Sequence, residues 1–184
     1  MAYNPLFSLQ IAPTTANFYP FGNLTAGFEF SLLENKRVIK IGLYYPDAGY
    51  ATPHDIYLWS VNNTTTPILT VTIPSGTYTI SDYFCWVTVP DTLLVASNGP
   101  YRIAASYPAV IPGDFTSGSI DNLIGTYPAS DVDLVEGGTT FNDGYSIEGL
   151  ALYPTIPSGV SGYVSYLGPN IGFKPIPTGQ LWPT

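Results

Sequence analysis

His54 and Cys85 are the chain's single histidine and single cysteine, and nucleophilic chemistry here has few other parts to draw on. A serine or cysteine hydrolase needs a base to take the proton from its nucleophile, so His54 would have to serve Cys85 or a serine. His54 stands in "PDAGYATPHDIYLWS", residues 46–60, directly before Asp55. A neighbouring carboxylate can orient an imidazole for acid–base work, and an acidic loop containing glycine can hold a cation. The plainer reading is scaffold. His54 lies where a loop runs into a strand, its ring can bond turn backbone, and Asp55 can cap that turn or face water. Cys85 lies within "YFCWVTV", where a buried, inert thiol is the ordinary outcome. "GYSIEG" around Ser146 lacks the spacing of a G-x-S-x-G elbow. No catalytic residue is expected, and His54→Ala is expected to leave function intact.

Carboxylates gather later in the chain. Asp114, Asp121, Asp131, Asp133, Glu136, Asp143 and Glu148 occur with no Lys or Arg between Arg102 and Lys174. "DVDLVEGG" offers oxygen ligands that could gather calcium, but the glycine placement of an EF-hand loop is missing. A glycosidase would need two carboxylates facing each other across a cleft, one of them desolvated. Solvated loop charge accounts for these residues more simply, so neither a metal nor a cofactor is expected. Aromatic residues form the other conspicuous set: Tyr44, Tyr45, Tyr57, Trp59, Trp86, Tyr101 and Tyr107. Exposed Tyr and Trp favour interfaces or sugar stacking, while strand alternation is expected to bury about half of these.

The elements that must position these residues read as strands. "AGFEFSL" alternates with Phe28, Phe30 and Leu32 on one face, and "RVIKIGLYY" sets Ile39, Ile41, Leu43 and Tyr45 against Lys40 and Gly42. "DIYLWSV", "PILTVTI", "YFCWVTV" and "PYRIAASY" continue the series, each bounded by Asn, Pro, Gly or Asp. After Tyr107 the pattern loosens into long loops, with strand candidates returning at "EGLALY", "SGYVSYL" and "PNIGF". The chain has 184 residues, 18 glycines, 18 prolines, 15 tyrosines and only 10% charged residues, which suits one helix-poor, all-β domain. A single antiparallel β-sandwich, jelly-roll or Ig-like, is expected. Its core is expected to include Phe28, Phe30, Ile39, Ile41, Leu43, Leu58, Leu69, Val71, Trp86 and Ile103. The formal net charge of -8 has the wrong sign for neutralising phosphates, so no nucleic acid and no anionic membrane is expected as a partner. No run of about 18 apolar residues occurs, and the proline-broken start lacks a basic n-region and does not read as a signal peptide.

Taken together, "LTAGFEFSL", "VIKIGLYYPDAGYATPHDIYLWS", "PILTVTIPSG", "FCWVTVPDTLLVASNGPYRIAASYP" and "YLGPNIGF" resemble a bacterial β-sandwich domain common in exosortase-sorted (PEP-CTERM) secreted proteins. Gly27, Phe28, Phe30, Asp47, Gly49, His54, Trp59, Pro74, Gly76, Tyr101, Gly168, Pro169, Asn170 and Phe173 fall on the places of that pattern. The resemblance spans residues 23–174 and implies a fold but no activity, since that family has none established. It departs from the secreted members at both ends, where a leader and a sorting anchor are not read.

The expected organisation is an apolar N-terminal arm (1–22), the sandwich (23–174) and a C-terminal tail (175–184). Tyr3, Leu6, Phe7, Leu9 and Ile11 in the arm, with Leu181 and Trp182 in the tail, are the expected partner-binding residues, because apolar arms outside a sandwich need a surface to bury against, either the protein's own sheet or another subunit. Deleting the arm is expected to leave a folded domain that no longer associates. The expected function is that of a non-enzymatic accessory protein of a particle: a bacteriophage capsid cement or decoration protein, a homo-oligomer bound to a major capsid protein and located in the virion. The alternative is an extracellular carbohydrate- or surface-binding module, with or without calcium. A hydrolase using the late carboxylates has only residue counts behind it.

Overall fold

The structure, a computed structural model, describes residues 2–9, 23–44, 52–76, 80–81, 83–108, 126–128, 132–134, 139–157, 163–165 and 168–175. In chain order the strands are β1 (Asn4–Pro5), β2 (Phe7–Leu9), β3 (Leu24–Leu32), β4 (Lys36–Tyr44), β5 (His54–Ser60), β6 (Leu69–Ile73), β7 (Ile80–Ser81) and β8 (Phe84–Leu94). They continue with β9 (Tyr101–Tyr107), β10 (Thr126–Pro128), β11 (Val132–Leu134), β12 (Thr139–Glu148), β13 (Ile156–Pro157), β14 (Tyr163–Ser165) and β15 (Pro169–Phe173). One sheet has the order β1-β15-β4-β8-β7, the other β13-β12-β3-β9-β5-β6, and β10-β14 and β11-β2 form two-stranded ribbons. Every pairing is antiparallel. Among the described residues the only helical turn is a 3₁₀ turn at Ala96–Asn98. The chain is an all-β antiparallel sandwich.

Alternation drives this arrangement. From β3, Ala26, Phe28, Phe30 and Leu32 enter the shared core, from β5 Ile56 and Leu58, and from β9 Tyr101, Ile103, Ala105 and Tyr107. The five-stranded sheet contributes Val38, Ile41, Leu43, Phe84, Ile171 and Phe173. Gly27 permits a close approach of two strands, because a Cβ there would stand 1.9 Å from the Ile103 carbonyl oxygen and would push β3 off β9. Of the expected core, Phe28, Phe30, Ile41, Leu43, Leu58 and Ile103 lie in the main cluster, while Leu69, Val71 and Trp86 pack half-buried against it. Ile39 is buried but outside that cluster. The register of β4 against β8 shifts between Val38 and Lys40, and Val38 takes the core place.

Three expectations are corrected. Residues 4–9 are not an arm outside the sandwich, because β1 pairs with β15 and β2 with β11. Leu6 and Phe7 are 0% and 1% exposed, and Phe7 sets its ring edge-on to Phe28 of one sheet and Phe84 of the other. Their burial leaves them unavailable as partner anchors, and the sandwich boundary at residue 23 falls with them. Second, β12 is a ten-residue strand inside the six-stranded sheet, where a loop was expected. Its "NDG" reads as a turn but occupies a bulge between Phe141 and Gly144. Third, "EGLALY" is not a strand: after Glu148 the chain bends at Gly149 and Ala151, both at positive φ.

Candidate functional site

The residues with the most obvious chemistry are scaffold in their geometry. His54 opens β5 fully buried, its Nδ1 2.9 Å from the Ser106 carbonyl oxygen and its ring 5.6 Å from that of Tyr107. Asp55 is bonded elsewhere, accepting from Thr72 Oγ1 at 2.5 Å and from the Tyr57 hydroxyl at 3.4 Å. Adjacent residues of a strand face opposite ways, so this carboxylate does not orient this imidazole. Cys85 is buried on β8, where desolvation pushes its thiol up to about 11, away from the thiolate a nucleophile needs.

The densest polar arrangement among the described residues lies on the face of the six-stranded sheet turned away from the core. Glu29 of β3 and Arg102 of β9 are direct cross-strand partners. Arg102 Nη2 donates to Glu29 Oε2 at 2.5 Å, its Nη1 donates to the Pro154 carbonyl, and Asn142 Nδ2 donates to Glu29 Oε1 at 2.9 Å. The guanidinium lies over the Tyr145 ring at 3.3 Å from its centroid, with the Tyr153 ring 4.6 Å away. Beside it, Tyr57 and Trp59 stack at 5.2 Å, and Tyr153 meets Trp59 edge-on at 5.6 Å. Burial raises the Tyr57 and Tyr153 hydroxyl pKa values; the Asp55 charge adds to the first, and the Arg102 charge opposes the second.

Residues 149–155 form the cover of this face and lead into the edge strand β13 (Ile156–Pro157). Arg102 holds the cover through Pro154, Thr25 Oγ1 donates to the Gly149 carbonyl at 2.8 Å, and the Ala151 amide donates to Ser106 Oγ at 3.1 Å. Both faces of β9 are thereby covered, which is why all seven of its residues are buried. The cover and the strand it leads into turn large apolar residues outward: Leu150 and Leu152 of the cover and Ile156 of β13 are 38%, 45% and 57% exposed. Among the described residues the other exposed large apolar ones, Leu33, Ile68, Ile80 and Leu93, come singly along the chain.

Of the expected partner-binding residues, Tyr3 is half-buried, its ring 4.8 Å from that of Trp86 and 4.7 Å from Lys40 Nζ. For Leu9 the backbone pairing opposite Val132 is described. Ile11, Leu181 and Trp182 lie outside the described residues, as do Asp114, Asp121, Asp131 and Glu136. Among the described residues no group of three His, Cys, Asp or Glu could hold a metal ion. Sequence reasoning missed Glu29, Arg102, Asn142, Tyr145 and Tyr153. A signal was present, since Glu29 and Arg102 are each the lone charge of an otherwise uncharged strand, and their signs are opposite.

Comparison with protein-family models, characterised proteins and solved structures finds no match to this chain.

Proposed function

We propose that this protein is a non-enzymatic structural accessory protein of a particle, a virion decoration protein that binds the shell's capsid protein. The observation that carries a binding role is the cover segment with β13, into which it leads. It is fastened to the sheet by Arg102, Thr25 and Ser106, yet presents Leu150, Leu152 and Ile156 to solvent within seven residues. A fixed backbone with outward apolar side chains loses little freedom when it docks, so more of the burial energy survives as affinity. The side chains best suited to chemistry, His54, Cys85, Asp55 and Glu29, are instead engaged in packing or internal bonds. Sugar stacking loses its best platform, because Trp59 and Tyr57 are 2% and 8% exposed beneath the cover. The particle setting itself rests on this binding role in an acidic sandwich whose His54, Cys85, Asp55 and Glu29 are engaged internally.

Density-gradient fractionation of particles from the source culture, probed with antibody to this chain, tests the reading. Signal on intact particles, lost from particles carrying Leu150→Ser/Leu152→Ser/Ile156→Ser, is expected. Signal confined to the cell envelope or the free-protein fractions would overturn it.

A further inference from the structure

The two principal sheets end in four edge strands, and three of them are poor templates for another chain. β1, β7 and β13 have two residues each, and β1 and β13 each include a proline, Pro5 and Pro157, which has no N–H to offer. β6 differs on every count. It has five residues, "LTVTI", with no charge, no proline and no bulge, and its register against β5 runs unbroken from Leu58↔Leu69 to His54↔Ile73. Natural sheets blunt exposed edges with short strands, prolines, lysines or bulges; an edge without them is a pairing site. Among the described strands none pairs with the other side of β6.

We propose that β6 is a dimerisation edge, pairing antiparallel with the β6 of a second copy to join two six-stranded sheets. The occupant is a second copy because an antiparallel edge is self-complementary across a two-fold axis: one register, centred on Val71, sets Thr70 against Thr72 in both directions. Pro67 and Pro74 bracket the strand and limit slippage. Electrostatics permits the pairing despite the net charge of -8. The nearest carboxylate on the neighbouring strand, Asp55, is bound to Thr72 Oγ1. In the dimer the two copies of β5 stand three strand spacings apart, about 14 Å, beyond the screening length of roughly 8–10 Å. Pairing also extends the face on which Thr70 and Thr72 are exposed, and opposed threonines are a favourable cross-strand pair. This inference is independent of the particle reading.

Light scattering after size exclusion on the full chain tests it, together with hydrogen exchange across a dilution series. The expected results are a mass of two chains and β6 amides whose protection falls on dilution, while β9 amides stay protected. Thr70→Lys/Thr72→Lys puts like charges directly opposite across the axis, and is expected to raise the dimer dissociation constant at least about tenfold. Thr64→Lys/Thr140→Lys adds the same charge at exposed positions outside the strand and is expected to leave it unchanged. A monomer at all concentrations, a dimer unmoved by the β6 lysines, or β6 protection independent of concentration would each overturn the proposal. The exchange series on the unaltered chain decides the matter even where the lysine pair impairs folding.

Discussion

Arg102 is a charge that the fold takes out of water, and it persists because both terminal nitrogens and the flat faces of the guanidinium are partnered, although its buried Nε is not hydrogen-bonded. Glu29 supplies the countercharge, Pro154 an acceptor, and Tyr145 and Tyr153 the ring faces. Removing one partner of such a pair leaves the other buried and uncompensated. Arg102→Met is therefore expected to cost about 3–5 kcal/mol in urea unfolding, and Glu29→Leu/Arg102→Met to recover a large part of it. Cys85 gives a second prediction at this scale, in pH. Its thiol is held near 11 in the fold against an ordinary 9.0. Stability from this group is fully present below pH 9 and is lost as pH rises through 11, because the unfolded chain releases the proton first. The loss amounts to about 2–3 kcal/mol. Burial shifts Tyr57, Tyr101 and Tyr153 the same way, so alkali destabilises the protein through several groups. Melting curves from pH 8 to 11 are expected to fall less steeply for Cys85→Ala than for the unaltered chain. The scaffold reading of His54 was legible because a loop–strand junction before a strand of alternating type is local. The Glu29–Arg102 pair was not, because its members lie 73 residues apart and only the sheet order makes them neighbours.

Elements were legible where the period was clean. β3, β4, β5, β6, β9 and β15 all fall within stretches that alternate or run apolar between turn residues, and that pattern alone implies strands. β12 was hidden because its pairing with β3 accommodates one extra residue at "NDG", where Asn142 and Asp143 stand against Glu29 alone, a sequence that in isolation favours a turn. The stretch after Glu148 failed in the opposite direction. Its Leu150 and Leu152 alternate as a strand would, but they face solvent and the backbone is held by Thr25, Ser106 and Arg102 from beneath. Up to β13, the cover is thus an element by attachment and not by its own secondary structure. Tyr153 is its main aromatic attachment, set edge-on to Trp59 and near Arg102. Tyr153→Ala is expected to cost about 1–2 kcal/mol through these two contacts. Limited proteolysis should then cut within 149–155 faster than in the unaltered chain, with the protected core strands unchanged. Equal cleavage rates in the two proteins would mean that the backbone bonds alone hold the cover.

At the scale of the whole molecule, the sandwich is closed by its own beginning. Leu6 donates its amide to the Ile171 carbonyl at 2.7 Å, and Asn170 Nδ2 donates to the Phe7 carbonyl at 2.9 Å. The first and last described strands thus fix each other across more than 160 residues of intervening chain. The apolar start of the chain suggested burial against its own sheet or another subunit, but patterning could not choose between them, because a two-residue and a three-residue strand are too short to show a period and their partners are remote. The consequence is a sharp test between a docking arm and a core strand. Fully burying two side chains such as Leu6 and Phe7 is worth about 1.5–3 kcal/mol each in transfer alone, and truncating them adds the cost of the cavity left behind. Phe7→Ala is expected to cost about 3–5 kcal/mol, which for a chain of this length lowers the melting temperature by roughly 6–20 °C. Deleting residues 2–9 removes both side chains, the β1–β15 and β2–β11 pairings and the acceptor of Asn170 together. That sum is comparable with the whole stability of an ordinary domain, about 5–15 kcal/mol, so the deleted chain is expected to show no cooperative thermal transition by circular dichroism. A deleted chain that melts cooperatively at the temperature of the full one would return residues 2–9 to the status of a docking arm. The two faces of the sandwich would then have to exclude water without Phe7 between them.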